Sequence, residues 1–176
     1  MSQTCVRLFY GETSQAIAVG LPYGDKEQMV AFFIMPKQKY GLQALEAKIA
    51  DEDHLTEILD NSVDYSKVVT VAIPKFKLDL TPYNIRPTLM IMGTTTMFAQ
   101  GFVDFSKINS QKNLYVTHAA HKAFFEAKEG TSRLCPNDET SDLDKVFVTF
   151  NQPFVLAVVE KSTRNLLLYG HVMSVD

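Results

Sequence analysis

The chain has 176 residues, and 46% of them are hydrophobic, which is enough to build one compact core. Its 17 basic and 20 acidic side chains give a net charge of −3, so we expect no nucleic acid or membrane partner. Cys5 and Cys135 fit no metal-binding or redox spacing, and nothing indicates a cofactor. The first residues lack the apolar stretch of a signal peptide, so we expect a soluble chain without an export signal of its own.

Three short strands are predicted between Val6 and Pro36, where apolar stretches alternate with turn residues. The segment Tyr23-Gly24-Asp25-Lys26 is typical of a tight turn between the second and third strands. The third strand, Met29 to Met35, is continuously apolar, which predicts burial on both faces.

Two short surface helices are predicted between Leu42 and Leu59, where apolar residues recur at helical spacing. A β-branched strand follows at Val68 to Ile73. A third helix is predicted from Ile85 to Met92, since Pro87 suits its first turn and Gly93 its end.

A long buried strand is predicted from Leu114 to Ala127, because this run is rich in aromatic and small apolar residues and contains no breaker. The polar segment from Glu129 to Lys145 contains Gly130 and Pro136 and predicts an exposed irregular loop. Loops of this length inside a compact domain are usually functional.

Three more strands are predicted near the C-terminus, and the last two form a hairpin. They are Val146 to Phe150, Phe154 to Val159 and Leu166 to Val172. The pattern as a whole predicts an α+β fold with mixed or antiparallel sheets and a few short helices.

The residues that could perform chemistry do not form a catalytic or metal-binding pattern. His118 and His121 are three positions apart, so on a strand their side chains would point to opposite faces. The sequence therefore predicts no metal site and no enzyme, and His121 is expected to be a hydrogen-bonded core histidine.

Several short motifs occur in a fixed order along the chain and together resemble the C-terminal half of a serpin. They are Leu21-Pro22-Tyr23, Ile73-Pro74-Lys75-Phe76-Lys77-Leu78, Val103-Asp104-Phe105-Ser106-Lys107-Ile108, His121-Lys122-Ala123-Phe124 with Glu129-Gly130-Thr131, Pro153-Phe154, and Leu168-Tyr169-Gly170. The resemblance implies a single truncated serpin domain over residues 1–176, without the N-terminal helical half of the family fold.

The resemblance also implies a function, that of a serine-type endopeptidase inhibitor. A reactive-centre loop at about residues 129–146 would be the protease bait, and His121 would be a shutter-like residue under the large sheet. The hinge of the loop would consist of Lys128, Glu129, Gly130, Thr131, Ser132 and Arg133. The residues at which cleavage is expected are Asp142, Leu143, Asp144 and Lys145.

The hinge departs from the family pattern of small residues that can slide into a sheet. Arg133 adds a charge and Pro136 removes a backbone donor, and both disfavour insertion. The family's glutamate before the hinge is replaced by Lys128, which would face Lys75 unless Glu126 or Glu129 turns in. The alternative function is therefore a non-inhibitory serpin-like binding module that acts through the loop or the small-sheet surface.

The expected partners are a target protease or another protein. An unpaired edge of the large sheet also favours a homodimer or other homo-oligomer. By resemblance the protein would be secreted and extracellular, and a cytoplasmic location is the alternative because no signal peptide is present.

Overall fold

The computed structural model describes residues 2–5, 8–23, 28–50, 52–62, 67–111, 113–128 and 144–174. These residues form two compact units, Met1–Phe76 with Lys128–Asp176 and Lys77–Ala127. The elements in chain order are β1 (Ser2–Cys5), β2 (Phe9–Glu12), β3 (Ala16–Tyr23), β4 (Met29–Pro36), α1 (Leu42–Ile49), α2 (Glu52–Asn61), β5 (Lys67–Ala72), β6 (Phe76–Asp79), β7 (Tyr83–Asn84), α3 (Arg86–Ile91), a 3₁₀ helix (Thr96–Phe98), β8 (Ala120–His121), β9 (Phe124–Ala127), β10 (Asp144–Thr149), β11 (Phe154–Glu160) and β12 (Leu166–Val172).

The first unit is built around a five-stranded antiparallel sheet in the order β12-β11-β4-β3-β2. The three strands predicted between Val6 and Pro36 are confirmed as β2, β3 and β4, and the C-terminal hairpin as β11 and β12. Residues 24–27, where we predicted the tight turn, lie outside the described residues.

The central strand β4 is buried on both faces, as its continuous apolar run predicts. On one face, Phe32 and Ile34 join the cluster of buried residues that the helices complete. On the other face, the ring of Phe33 lies 5.8 Å from Phe150 and 5.9 Å from Phe154, measured between centroids. Burial on both faces explains why no polar residue interrupts this strand.

Helices α1 and α2 cover one face of the sheet. Leu42, Leu45 and Ile49 of α1 recur at spacings of three and four and are all buried. The helical spacing in this region therefore predicted both helices correctly. From α2, Ile58 completes the same core.

The first unit also contains a three-stranded sheet in the order β1-β5-β10. β5 pairs with β1 in antiparallel orientation and with β10 in parallel orientation. The predicted strands at Val68–Ile73 and Val146–Phe150 correspond to β5 and β10.

The second unit contains two short two-stranded sheets, β6 with β9 and β7 with β8. The predicted helix near Ile85–Met92 is confirmed as α3, with Pro87 in its first turn. Gly93 ends this helix with a φ of 89°, a left-handed conformation that glycine adopts at little cost.

The prediction of one long buried strand from Leu114 to Ala127 is wrong. Only Ala120–His121 and Phe124–Ala127 are strands, and most of the segment is exposed, with Phe124 at 53%. An apolar run is buried only if other elements cover it. Among the described residues, each of these two strands pairs along one edge alone, with a partner of at most four residues.

The α+β fold class is confirmed, since mixed and antiparallel sheets are combined with a few short helices. Among the described residues, no helix is long and apolar enough to cross a lipid bilayer.

Candidate functional site

The predicted reactive-centre loop lies between β9 and β10, and the structure describes its two flanks. Residues 129–143 lie outside the described residues, and they include Asp142, Leu143 and the hinge positions from Glu129 to Arg133. Lys128, the first hinge position, is exposed directly after β9. The two described flanks show how each end of the loop is held.

The C-terminal flank is the strand β10, whose backbone is paired along its whole length. Its register runs from Asp144 opposite Lys67 to Thr149 opposite Ala72. Asp144 and Lys145, two of the predicted cleavage positions, are thus the first two residues of a hydrogen-bonded strand.

The same strand is anchored in the core at its far end. The Phe150 N–H donates a hydrogen bond to the Ala72 carbonyl at 2.9 Å, and the Phe150 ring lies 5.4 Å from that of Phe154. Val148 and Phe150 are buried, whereas Thr149 between them is exposed and Phe147 before them is 75% exposed. This alternation fixes which face of β10 lies in the core.

The N-terminal flank is the pair of strands β6 and β9 with the residues before β9. The Lys122 Nζ lies 2.9 Å from Asp79 Oδ1, and the Lys77 Nζ lies 3.6 Å from Asp79 Oδ2. The hydrogen bond from Lys122 and the charge of this lysine lower the pKa of the Asp79 carboxyl. The Lys77 ammonium also lies 5.5 Å from the centroid of the Phe124 ring.

This ion-pair cluster around Asp79 was not predicted from the sequence. The alternation in Phe76-Lys77-Leu78-Asp79 does place Lys77 and Asp79 on one face of a strand. No local pattern in the sequence connects these two residues with Lys122. It comes close to them only because β6 pairs with β9. The ion pair between Lys122 and Asp79 thus connects the segment just before β9, which leads into the loop, with the neighbouring strand β6.

His121, the predicted shutter-like residue, is exposed, so the expectation of a core histidine is wrong. It lies opposite Tyr83 in the β7–β8 pair, and the two rings meet edge to face with centroids 5.7 Å apart. Its strand has two residues and pairs, among the residues that the structure describes, with β7 alone, so the imidazole is open to solvent. Within the described part of the chain, no group of three or more His, Cys, Asp or Glu side chains is arranged to hold a metal ion.

A protein-family model matches the chain along almost its whole length. The model of the family Serpin (serine protease inhibitor) matches residues 1–175, so the chain belongs to the serpin family.

Among individual proteins, the chain is similar to Serpin B10 of several mammals. It is 33% identical to Serpin B10 of Plecturocebus moloch over 176 residues and 29% identical to that of Homo sapiens over 174 residues. It is also 30% identical to Iripin-8 of Ixodes ricinus over 175 residues. The matches cover 93–96% of this chain but only 42–43% of each relative. The chain therefore spans less than half the length of these relatives.

Proposed function

We propose that the chain acts as a serpin-type inhibitor of a serine endopeptidase and presents residues 129–146 as its reactive-centre loop. Membership of the serpin family supports this reading. The pairing of β10 supports it further, because the segment leads directly into this strand, which takes up its last residues, 144–146. In this proposed role the chain inhibits the protease by serving as its target, and the chain itself performs no catalytic chemistry.

The start of β10 at Asp144 is the observation that carries the choice of cleavage site. A protease binds the residues around the cleaved bond in an extended form and surrounds them. Cleavage after Asp144 or Lys145 would first require β10 to separate from β5, with the loss of ladder hydrogen bonds. Cleavage after Leu143 would also involve the paired Asp144, whereas neither residue of the Asp142–Leu143 bond belongs to the strand, so we propose this bond as the scissile bond.

An aspartate at this position defines the class of protease. The serine hydroxyl of the enzyme would attack the Asp142 carbonyl carbon, an ester would form, and the amine of Leu143 would leave. A pocket that accepts aspartate needs a positively charged or strongly hydrogen-bonding lining. The proposed target is therefore a serine endopeptidase that cleaves after acidic residues, rather than one that cleaves after lysine or arginine.

The second candidate function is a non-inhibitory binding module, and the composition of the hinge favours it. Arg133 and Pro136 would each oppose insertion of the hinge as a new strand. In that case the loop would be cut as an ordinary substrate, or it would bind a protein without being cut.

The proposed partners are the target protease and a second copy of this chain. The proposed location is extracellular, in keeping with the family resemblance. The single-domain interpretation of residues 1–176 and the shutter-like role of His121 likewise stay predictions.

The test is incubation with serine and cysteine proteases that differ in their preferred residue, followed by denaturing electrophoresis and mass spectrometry. We expect an SDS-stable complex with the acid-specific serine enzyme, joined through Asp142. The variant Asp142→Ala should lose it, and the control Asp138→Ala should keep it. Cleavage after Asp142 without a complex would favour the binding module, and an uncut loop would contradict the proposed bait.

A further inference from the structure

Phe147 is an exposed aromatic residue on a strand whose other face lies in the core. The structure describes the β10 side chains at 146–149, and of these only Phe147 and Thr149 are exposed. Phe147 is 75% exposed, whereas Val148 beside it is buried. The ring therefore projects from the outer face of β10, immediately after the proposed reactive-centre loop.

The neighbours of Phe147 in the sheet leave its ring uncovered. Its partner in the parallel pair is Thr70 of β5, a residue with a much smaller side chain. Among the described residues, β5 is the only strand that pairs with β10, so Phe147 has a strand neighbour on one side alone. Large aromatic side chains are enriched at protein contacts, because they bury much apolar area with few rotatable bonds.

The strand holds the ring in place before any partner arrives. The register of β10 with β5 runs without a shift from Asp144 to Thr149. Beyond the strand, the Phe150 N–H donates to the Ala72 carbonyl at 2.9 Å. Less conformational entropy is lost on binding when the contacting residue is already fixed, so Phe147 is better prepared for a contact than a residue on a free loop.

Phe147 also lies close along the chain to the proposed scissile bond. Three residue steps in a strand separate it from Asp144, a distance of about 10 Å. Leu143 is one peptide further, so its Cα lies within about 14 Å of the Phe147 Cα. A folded protein of about 200 residues has a radius of gyration of about 16 Å, so a protease bound at this bond extends as far as Phe147.

This distance also identifies the partner that covers the ring. Any other segment packed on Phe147 would lie within about 14 Å of the scissile bond and would occupy space that the protease needs. A bond that is accessible to a protease therefore requires that this part of β10 is accessible as well.

We propose, on the basis of the function proposed above, that Phe147 is a second contact for the target protease, on the leaving-group side of the scissile bond. The partner is a serine endopeptidase that cleaves after aspartate and has an apolar recess on that side of its active site. Asp142 would select the primary pocket of the enzyme, and Phe147 would select among enzymes that share this pocket.

The test measures the dissociation constant of the full chain for an acid-specific serine protease whose catalytic serine is replaced by alanine, so that no bond is cut. Phe147→Ala should weaken binding about tenfold, as truncation of an aromatic contact residue commonly does. Phe147→Tyr keeps the ring and should bind within about twofold of the unmodified chain. The matched control Thr149→Ala changes the other exposed residue of the same face and should also stay within about twofold.

The active protease separates this contact from the function on which it rests. Mass spectrometry should show that Phe147→Ala is still attacked after Asp142, because the ring contributes to binding and not to the choice of bond. Unchanged binding of Phe147→Ala, with attack after Asp142, would overturn the contact and leave the proposed function in place. Equal weakening by Thr149→Ala would also overturn it, since the whole strand and not the ring would then be responsible. An unmodified chain that neither binds the inactive enzyme nor is attacked by the active one would overturn both proposals.

Discussion

Gly11 of β2 lies directly against Ser62, just after α2, so closely that a Cβ on Gly11 would come within 2.7 Å of the Ser62 Cα. Ser62 is fully buried and donates its hydroxyl to the Ile58 carbonyl, so it cannot move aside without losing that bond. We expect Gly11→Ala to lower the free energy of unfolding by about 1–3 kcal/mol, a typical cost of overpacking.

Gly170 of β12 is the matched control, because a Cβ added there would meet no atom within 4 Å. Gly170→Ala should change the unfolding free energy by less than about 0.5 kcal/mol in either direction. Chemical denaturation of both variants measures the difference. Equal losses would show that the contact of Gly11 with Ser62 is not what restricts this position.

The aromatic cluster on the second face of β4 should contribute much of the stability of the first unit. Phe33 is 2% exposed and contacts both Phe150 and Phe154. Phe33→Ala should cost about 3–5 kcal/mol, because it removes a buried ring and leaves a cavity. Phe147→Ala is the control, since this ring is 75% exposed and should cost less than about 0.5 kcal/mol. Thermal or urea unfolding checks both values.

Elements with strong local signals were predicted from the sequence, and long-range relationships were not. The apolar run of β4 and the Pro87 and Gly93 boundaries of α3 are local signals, and the structure agrees with them. Burial of the segment from Leu114 to Ala127 depends on which elements cover it, and composition does not specify them. The pairing of Asp79 with Lys122 likewise depends on strand pairing between distant segments.

The turn between β11 and β12 should weaken at acid pH. The Thr163 and Ser162 hydroxyls and the Thr163 N–H donate hydrogen bonds to the Glu160 carboxylate and lower its pKa from 4.5 to about 2. Since the folded pKa lies below the unfolded value, this contribution is complete above pH 4.5 and is lost as the pH falls toward 2.

Melting temperatures measured across that pH range should reveal this contribution. Glu160→Gln should melt below the unmodified chain at neutral pH, and the gap should close as the pH falls from 4.5 toward 2. Thr163→Val removes one donor, so the Glu160 pKa should rise toward its ordinary value. A gap that does not depend on pH would mean that the hydrogen bonds of the neutral side chain, and not the charge, stabilise this turn.

The hinge decides between the two proposed functions, and its composition can be changed directly. Arg133→Ala removes a charge that insertion would bury, and Pro136→Ala restores a backbone donor to the ladder. If the chain is a protease inhibitor limited by this hinge, the double variant should raise the ratio of SDS-stable complex to cleaved chain several-fold. The control Asn137→Ala lies in the same segment, changes neither a charge nor a backbone donor, and should leave the ratio unchanged. Densitometry after reaction with an acid-specific serine protease gives the ratio. An unchanged ratio in the double variant, with cleavage still after Asp142, would favour the non-inhibitory binding module.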